Sequence, residues 1–223
     1  MKKILLSMAL MAFIGSANAQ LWFGGSVGFN QNSNKTVKKP KGGDETKSKA
    51  VTTSFTFSPK VGFQLSDELE VGGMITLASS KTFADKEEDK DNWTKTSSWA
   101  IAPFARYKFV SFGKFSLKAV AAMSFGQDSP KSSVVVGGET KKTDGDKTTT
   151  IALDVYPMMS YTLSDHFDLE AGLNFFGLTA SSSITKDADN SNNKDVNNTF
   201  RLMGSSDNVL TTGFVTIGFI YKL

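Results

Sequence analysis

The sequence predicts an all-β chain, an eight-stranded antiparallel up-and-down β-barrel that crosses a membrane. Three observations carry this. Apolar residues occupy every second position over long stretches. The connections between those stretches alternate between short and long. On the apolar face, aromatic residues gather at two heights.

The alternation is clearest in Val51 to Leu65, "VTTSFTFSPKVGFQL". Val51, Phe55, Phe57, Val61, Phe63 and Leu65 share one parity, while Thr52, Ser54, Thr56, Ser58, Lys60 and Gln64 share the other. Successive side chains of a strand point to opposite faces, so one face is apolar and the other polar. The same pattern appears in "LWFGGSVGFN", "LEVGGMITL", "WAIAPFARYKF", "FSLKAVAAMSF", "IALDVYPMMSYTL", "FDLEAGLNF" and "GFVTIGFIYKL". These are eight strands.

The connections within three pairs are tight: "SDE", "VSFG" and "SDH". Two of these turns echo each other, "FQLSDELEVG" from Phe63 and "YTLSDHFDLE" from Tyr161. The other four connections are long and hydrophilic: Gln31–Ala50, Ser79–Ser98, Gln127–Thr148 and Ser181–Asn208. They are expected to be four long extracellular loops, and the tight connections three short periplasmic turns. Four such loops argue against a compact soluble domain.

Aromatics near the short turns are Phe63, Tyr107, Phe109, Phe115, Tyr161, Phe167 and Tyr221; near the long connections stand Phe29, Phe55, Trp99, Phe125 and Phe175. Phe55 precedes Leu65 by ten positions, as Trp99 precedes Phe109. Ten tilted strand residues span roughly 25 Å along a membrane normal, the height of an outer-membrane apolar band with an aromatic girdle at each edge. The closing strand ends at Leu223 and is expected to pair with the first strand, because an apolar edge left open aggregates.

The chain begins "MKKILLSMALMAFIGSANA": a basic start at Lys2 and Lys3, a short apolar stretch and an A-x-A site. Residues 1–19 read as a cleaved secretory signal peptide and 20–223 as one barrel domain, with no second domain expected. Without the two leader lysines the formal charge falls from +3 to +1, so global basicity does not point to nucleic acid. The absence of cysteine excludes disulfides, thiolate metal sites and a lipid-acceptor cysteine. After the leader no apolar run reaches the length of a transmembrane helix.

The last strand, "VTIGFIYKL", resembles the C-terminal strand of bacterial outer-membrane barrels. Pro59, Pro103 and Pro157 each precede the residue before a turn by six, in "SPKVGFQLSDELEVG", "APFARYKFVSFGKFSL" and "YPMMSYTLSDHFDLE". With these segments the chain resembles the outer membrane protein β-barrel domain family, the OmpA/OmpX-like eight-stranded barrels of Bacteroidetes-type bacteria. That resemblance implies residence in the outer membrane, delivery by the barrel-assembly machinery and a monomeric state. It does not imply an activity. Proline cannot donate to a ladder, so each of the three is expected at a bulge or a missing hydrogen bond.

Ionisable residues within the strands mark the polar face: Lys60, Glu70, Arg106, Lys118, Asp154 and Glu170, with Lys108, Asp168 and Lys222. Eight strands enclose little more than side chains, so the first six are expected to form a polar plug across the lumen. Small residues on the same face, Gly24, Gly28, Gly62 and Gly72 among them, leave a narrow water path as the alternative.

The single histidine, His166, falls in the turn "SDHF", on the side away from the outer leaflet. No catalytic, metal or cofactor residues are assigned. The acidic run "DKEEDKD" from Asp85 and the run "DADNSNNKD" from Asp187 lack the spacing of a calcium loop and read as solvated. The connection Gln31–Ala50 has six lysines against Asp44 and Glu45; it reads as a flexible solvated loop or, by unspecific attraction, as a contact for lipopolysaccharide phosphates or acidic glycans. The expected role is non-enzymatic: membrane integrity, or contact with lipid, lipopolysaccharide, host, glycan or protein through the loops. The alternative is a narrow porin-like diffusion channel or a small-ligand barrel.

Overall fold

The computed structural model describes residues 20–38, 46–85, 89–173, 176–188, 193–204 and 215–223, so the segment read as a signal peptide, 1–19, lies outside the described residues. Eleven β-segments follow in chain order: β1 (Gln20–Lys38), β2 (Thr46–Gln64), β3 (Leu69–Asp85), β4 (Asp89–Phe112), β5 (Phe115–Val136), β6 (Glu139–Asp144), β7 (Lys147–Thr162), β8 (Phe167–Leu173), β9 (Phe176–Lys186), β10 (Lys194–Gly204) and β11 (Val215–Lys222). All pairings are antiparallel. At the short-turn end β1, β2, β3, β4, β5, β7, β8 and β11 close a ring of eight. β11 completes it by pairing Phe23 with Tyr221 and Ser26 with Gly218.

The side chains sort as the alternation requires. Phe23, Phe57, Leu77, Trp99, Ile101, Tyr107, Phe125, Leu153, Leu169 and Phe219 are exposed on the outer wall. Trp22, Phe104, Val120, Met158 and Ile220 are buried inside with Arg106, Lys118, Asp168 and Glu170. An apolar exterior around a charged interior is the inverse of a water-soluble barrel and fits a lipid solvent.

The two echoing turns are alike to within a tenth of an ångström. The amides of Leu65 and Ser66 donate to Leu69 O at 2.8 and 3.2 Å; those of Leu163 and Ser164 donate to Phe167 O at 2.8 and 3.2 Å. The third turn places Gly113 at φ 58°, the left-handed first central position of a two-residue hairpin. The last carbonyl of each of these three turns is tied to the strand beyond. Glu68, Lys114 and His166 accept from the amides of Lys108, Thr162 and Lys222, each at 2.8 Å.

The three prolines sit where a ladder fails. The β2–β3 ladder skips from Phe57–Leu77 to Lys60–Met74, leaving Pro59 unpaired on that side. The β4–β5 ladder skips from Ile101–Phe125 to Phe104–Ala122 at Pro103. At Pro157 the partner of β7 changes from β8 to β9. Between Met158–Gly172 and Val155–Leu178 the partner strand holds three extra residues.

Three sequence expectations need correction. First, much of what reads as long loop is strand. β1 and β2 stay paired up to Lys38–Thr46, β3 and β4 up to Asp85–Asp89, and β5 and β6, like β9 and β10, form hairpins above the ring. Serine and threonine link these extensions: Thr52 with Thr82 at 2.9 Å, Ser54 with Ser80 at 3.0 Å, and Thr150 with Ser183 at 2.8 Å. In water on both faces a strand needs no apolar alternation, so its pattern resembles a loop. Second, the extra residues opposite Pro157 reverse the facing of β9, where Phe176 and Ile184 are exposed and Thr179 turns inward to Asp154. The face assigned from Phe167 to Phe175 therefore ends at the break, and Phe175 itself lies outside the described residues. Third, the space beside Gly62 and Gly72, two of the small residues named for a water path, is occupied. A Cβ on Gly62 would meet the Trp22 ring at 2.3 Å, and one on Gly72 would meet Phe104 Cζ at 2.6 Å. The rings fill the space that the missing side chains vacate.

Candidate functional site

The candidate site is the lumen. At its short-turn end Lys60 of β2, Glu70 of β3, Arg106 of β4, Lys118 of β5 and Glu170 of β8 meet inside the barrel. Cross-strand register sets the first contact, because Glu70 and Arg106 are direct partners on β3 and β4. Arg106 Nη1 lies 3.4 Å from Glu70 Oε2 and 2.8 Å from Glu170 Oε1. Lys118 Nζ lies 2.6 Å from Glu70 Oε1 and 4.0 Å from Glu170 Oε1. Lys60 Nζ donates to Glu170 Oε2. Glu170 therefore joins β8 to β2 and β4 across the lumen.

Five of the six residues expected in the plug thus meet in one network: Lys60, Glu70, Arg106, Lys118 and Glu170. Asp154 stands apart and accepts a hydrogen bond from Thr179 Oγ1 at 2.7 Å. It points inward as its parity requires, but three residues before Pro157 in β7, on the long-hairpin side. A second pair at the rim, Lys222 Nζ with Asp168 Oδ2 at 2.8 Å, ties β11 to β8 below the network.

The network has an aromatic wall that the sequence reading missed. The Arg106 guanidinium lies 4.7 Å from the Trp22 ring centre and 4.6 Å from that of Phe104, and the two rings stack at 6.0 Å. Trp22 is 2% exposed and Phe104 7%. Aromatic faces attract a guanidinium and occupy the cross-section that ions alone leave wet. The legible signal was Trp22 itself, a large aromatic on the glycine-rich face of its strand.

Above this layer lies a cavity of about 520 Å³, lined by Ser26, Asn30, Ser54, Thr56, Ser58 and Tyr156 among others and floored by Lys60, Arg106 and Glu170. Its walls mix hydroxyls and one amide with the apolar Met74, Phe104, Val120, Ala122 and Met158, and Ser58 Oγ pairs with Thr76 Oγ1 at 3.1 Å. The arrangement suits a small guest with an apolar body and a polar or anionic end toward the charged layer.

His166 is in the short turn, exposed, with Nδ1 3.0 Å from Lys222 O and its ring stacked on Tyr221 at 6.0 Å. Among the described residues no three His, Cys, Asp or Glu side chains group as metal ligands. The acidic run from Asp85 and the basic connection from Gln31 fall in part outside the described residues.

No family model matches the chain, and no curated protein matches it. Solved structures do. Neisserial surface protein A is 16% identical, with 92% of this chain and 96% of that chain covered and a TM-score of 0.33. Ail, the attachment invasion locus protein of Yersinia pestis, is 13% identical, with 92% and 97% covered and a TM-score of 0.36. The translocator domain of the autotransporter NalP from Neisseria meningitidis is 11% identical, with 89% and 66% covered and a TM-score of 0.39.

Proposed function

We propose that the chain is a non-enzymatic, monomeric outer-membrane barrel of the OmpA/OmpX-like type, exported by its leader and active through the hairpins above the membrane. The observation that carries this reading is the five-residue ion-pair network backed by Trp22 and Phe104. A lumen crossed by paired charges and two stacked rings supports a closed barrel better than a conduit. The position of His166 supports the absence of hydrolytic chemistry, because its Nδ1 contacts a backbone carbonyl in a turn. Planar-bilayer recording of the refolded protein tests the proposal. A silent bilayer, with insertion verified separately, is expected; reproducible conductance steps would overturn the closed reading.

A second reading, a small-ligand barrel, is favoured by the 520 Å³ cavity above the network. A guest there would meet mixed hydroxyl and apolar walls and the Lys60 and Arg106 cations at the floor. Native mass spectrometry of protein extracted in mild detergent tests it: a retained small molecule lost on Thr56→Trp supports this reading, and its absence refutes it.

A further inference from the structure

On the outer wall above the apolar belt, lysines stand directly opposite one another. Lys81 of β3 faces Lys95 of β4, and Lys95 faces Lys131 of β5. A second row runs Lys147 of β7, Lys186 of β9 and Lys194 of β10. Lys81, Lys95 and Lys131 share the parity of the outward Leu77, Trp99 and Phe125. Lys147 shares that of Ile151, and Lys186 that of Ile184.

Like charges directly opposite on neighbouring strands destabilise a sheet. Among the described residues the acid seen in an ion pair with these rows is Asp144, 3.1 Å from Lys131, and that pair is 62% and 68% exposed. An exposed pair of this kind contributes little. The Lys81 ammonium is held against the wall, 4.5 Å from the Phe83 ring centre and 4.6 Å from that of Trp93. Lys81 and Lys95 lie four residues beyond Leu77 and Trp99. That is roughly 10 Å along the normal for a tilted strand, the depth of lipid headgroups.

We propose that the two rows form a binding surface for the phosphates of a polyphosphorylated outer-leaflet glycolipid. The inference rests on the outer-membrane reading above. Strands about 4.8 Å apart place three ammonium groups within roughly 10 Å. A phospholipid with one phosphate answers one of them, whereas a disaccharide headgroup with two phosphates spans the row. Bound phosphate turns an unfavourable stack of cations into charge-assisted hydrogen bonds.

The test uses the full chain refolded into phosphatidylcholine vesicles doped with diphosphoryl lipid A, with its dephosphorylated form, or with phosphatidylglycerol at matched charge. Lipid retained after detergent extraction is quantified by mass spectrometry, and the heat-modifiable gel band reports insertion independently. Selective retention of the diphosphoryl form is expected. The K81Q/K95Q/K131Q and K147Q/K186Q/K194Q variants should each weaken binding at their own row on the order of a hundredfold and so lose about half of the retained lipid, since each lysine at an anionic surface is worth about five- to sixfold. In pure phosphatidylcholine both variants should be at least as stable as the parent, because a repulsion has been removed. Unchanged retention in both variants, or equal retention of phosphatidylglycerol, overturns the proposal. A chain that gives no heat-modifiable band overturns the outer-membrane reading instead.

Discussion

Replacing Glu170 with glutamine tests whether the charged layer holds the barrel shut. Glu170 is one of two carboxylates serving three cations, so the five-residue network carries a surplus of one positive charge. E170Q raises that surplus to two and removes the only partner of Lys60 in the network. The Glu170 side chain is 2% exposed, so it meets water only where it floors the cavity. Removing one partner of a buried ion pair costs about 3–5 kcal/mol. The amide keeps the shape and one acceptor oxygen, which places the expected loss near the lower bound, about 3 kcal/mol. With a urea m-value of about 2 kcal/mol/M, the unfolding midpoint falls by about 1.5 M. Tryptophan fluorescence in vesicles reads the transition, because Trp22 lies against the Arg106 guanidinium. Adding K60M restores the charge balance and should recover at least half of the loss. A midpoint that falls by less than about 0.3 M for E170Q alone would refute the reasoning.

Gly62→Leu and Gly72→Val should prevent folding, because their Cβ atoms meet the Trp22 ring at 2.3 Å and the Val61 carbonyl at 2.3 Å, whereas Gly73→Ala opens onto empty space and should stay within about 0.5 kcal/mol of the parent; heat-modifiable mobility separates these outcomes. Pro59→Ala restores an amide opposite the unpaired stretch of β3 and should gain about 0.5–1.5 kcal/mol, with an added protected amide in hydrogen exchange; a loss of stability would mean that the proline itself fixes the wall. His166→Ala removes one exposed hydrogen bond to Lys222 O and should cost no more than about 1 kcal/mol in urea unfolding; a larger loss would assign the turn a structural role not visible in its contacts.

The ring was legible because lipid imposes a strict rule on it. Phe57, Leu77, Trp99 and Phe125 had to face out and Lys60, Glu70 and Arg106 in, and a period of two follows wherever the two sides of a wall differ. Above the membrane both sides are wet, the rule lapses, and "SSKTFAD" from Ser79 reads as loop although Ser79 to Phe83 keep their partners on β4. Asp154 shares the inward parity of the other five charges, but its distance from them was not legible, because parity carries no vertical coordinate without register. Trp22 was missed for a related reason: its apolar bulk on the polar face is explained only by Gly62 on the adjacent strand, a relation between residues forty positions apart.

The ladder gaps at Pro59, Pro103 and Pro157 lie in the three seams that the short turns join, β2–β3, β4–β5 and β7–β8/β9. The seams β1–β2, β5–β7, β8–β11 and β11–β1 run without such a gap over their paired lengths. The wall is thus a set of stiff panels joined by compliant lines, each compliant line pinned at its foot by a turn. Such a cylinder flexes at its waist while its rim keeps a fixed circumference. Changes in bilayer thickness or lateral pressure are then absorbed at mid-height, and the charged layer near the rim keeps its spacing.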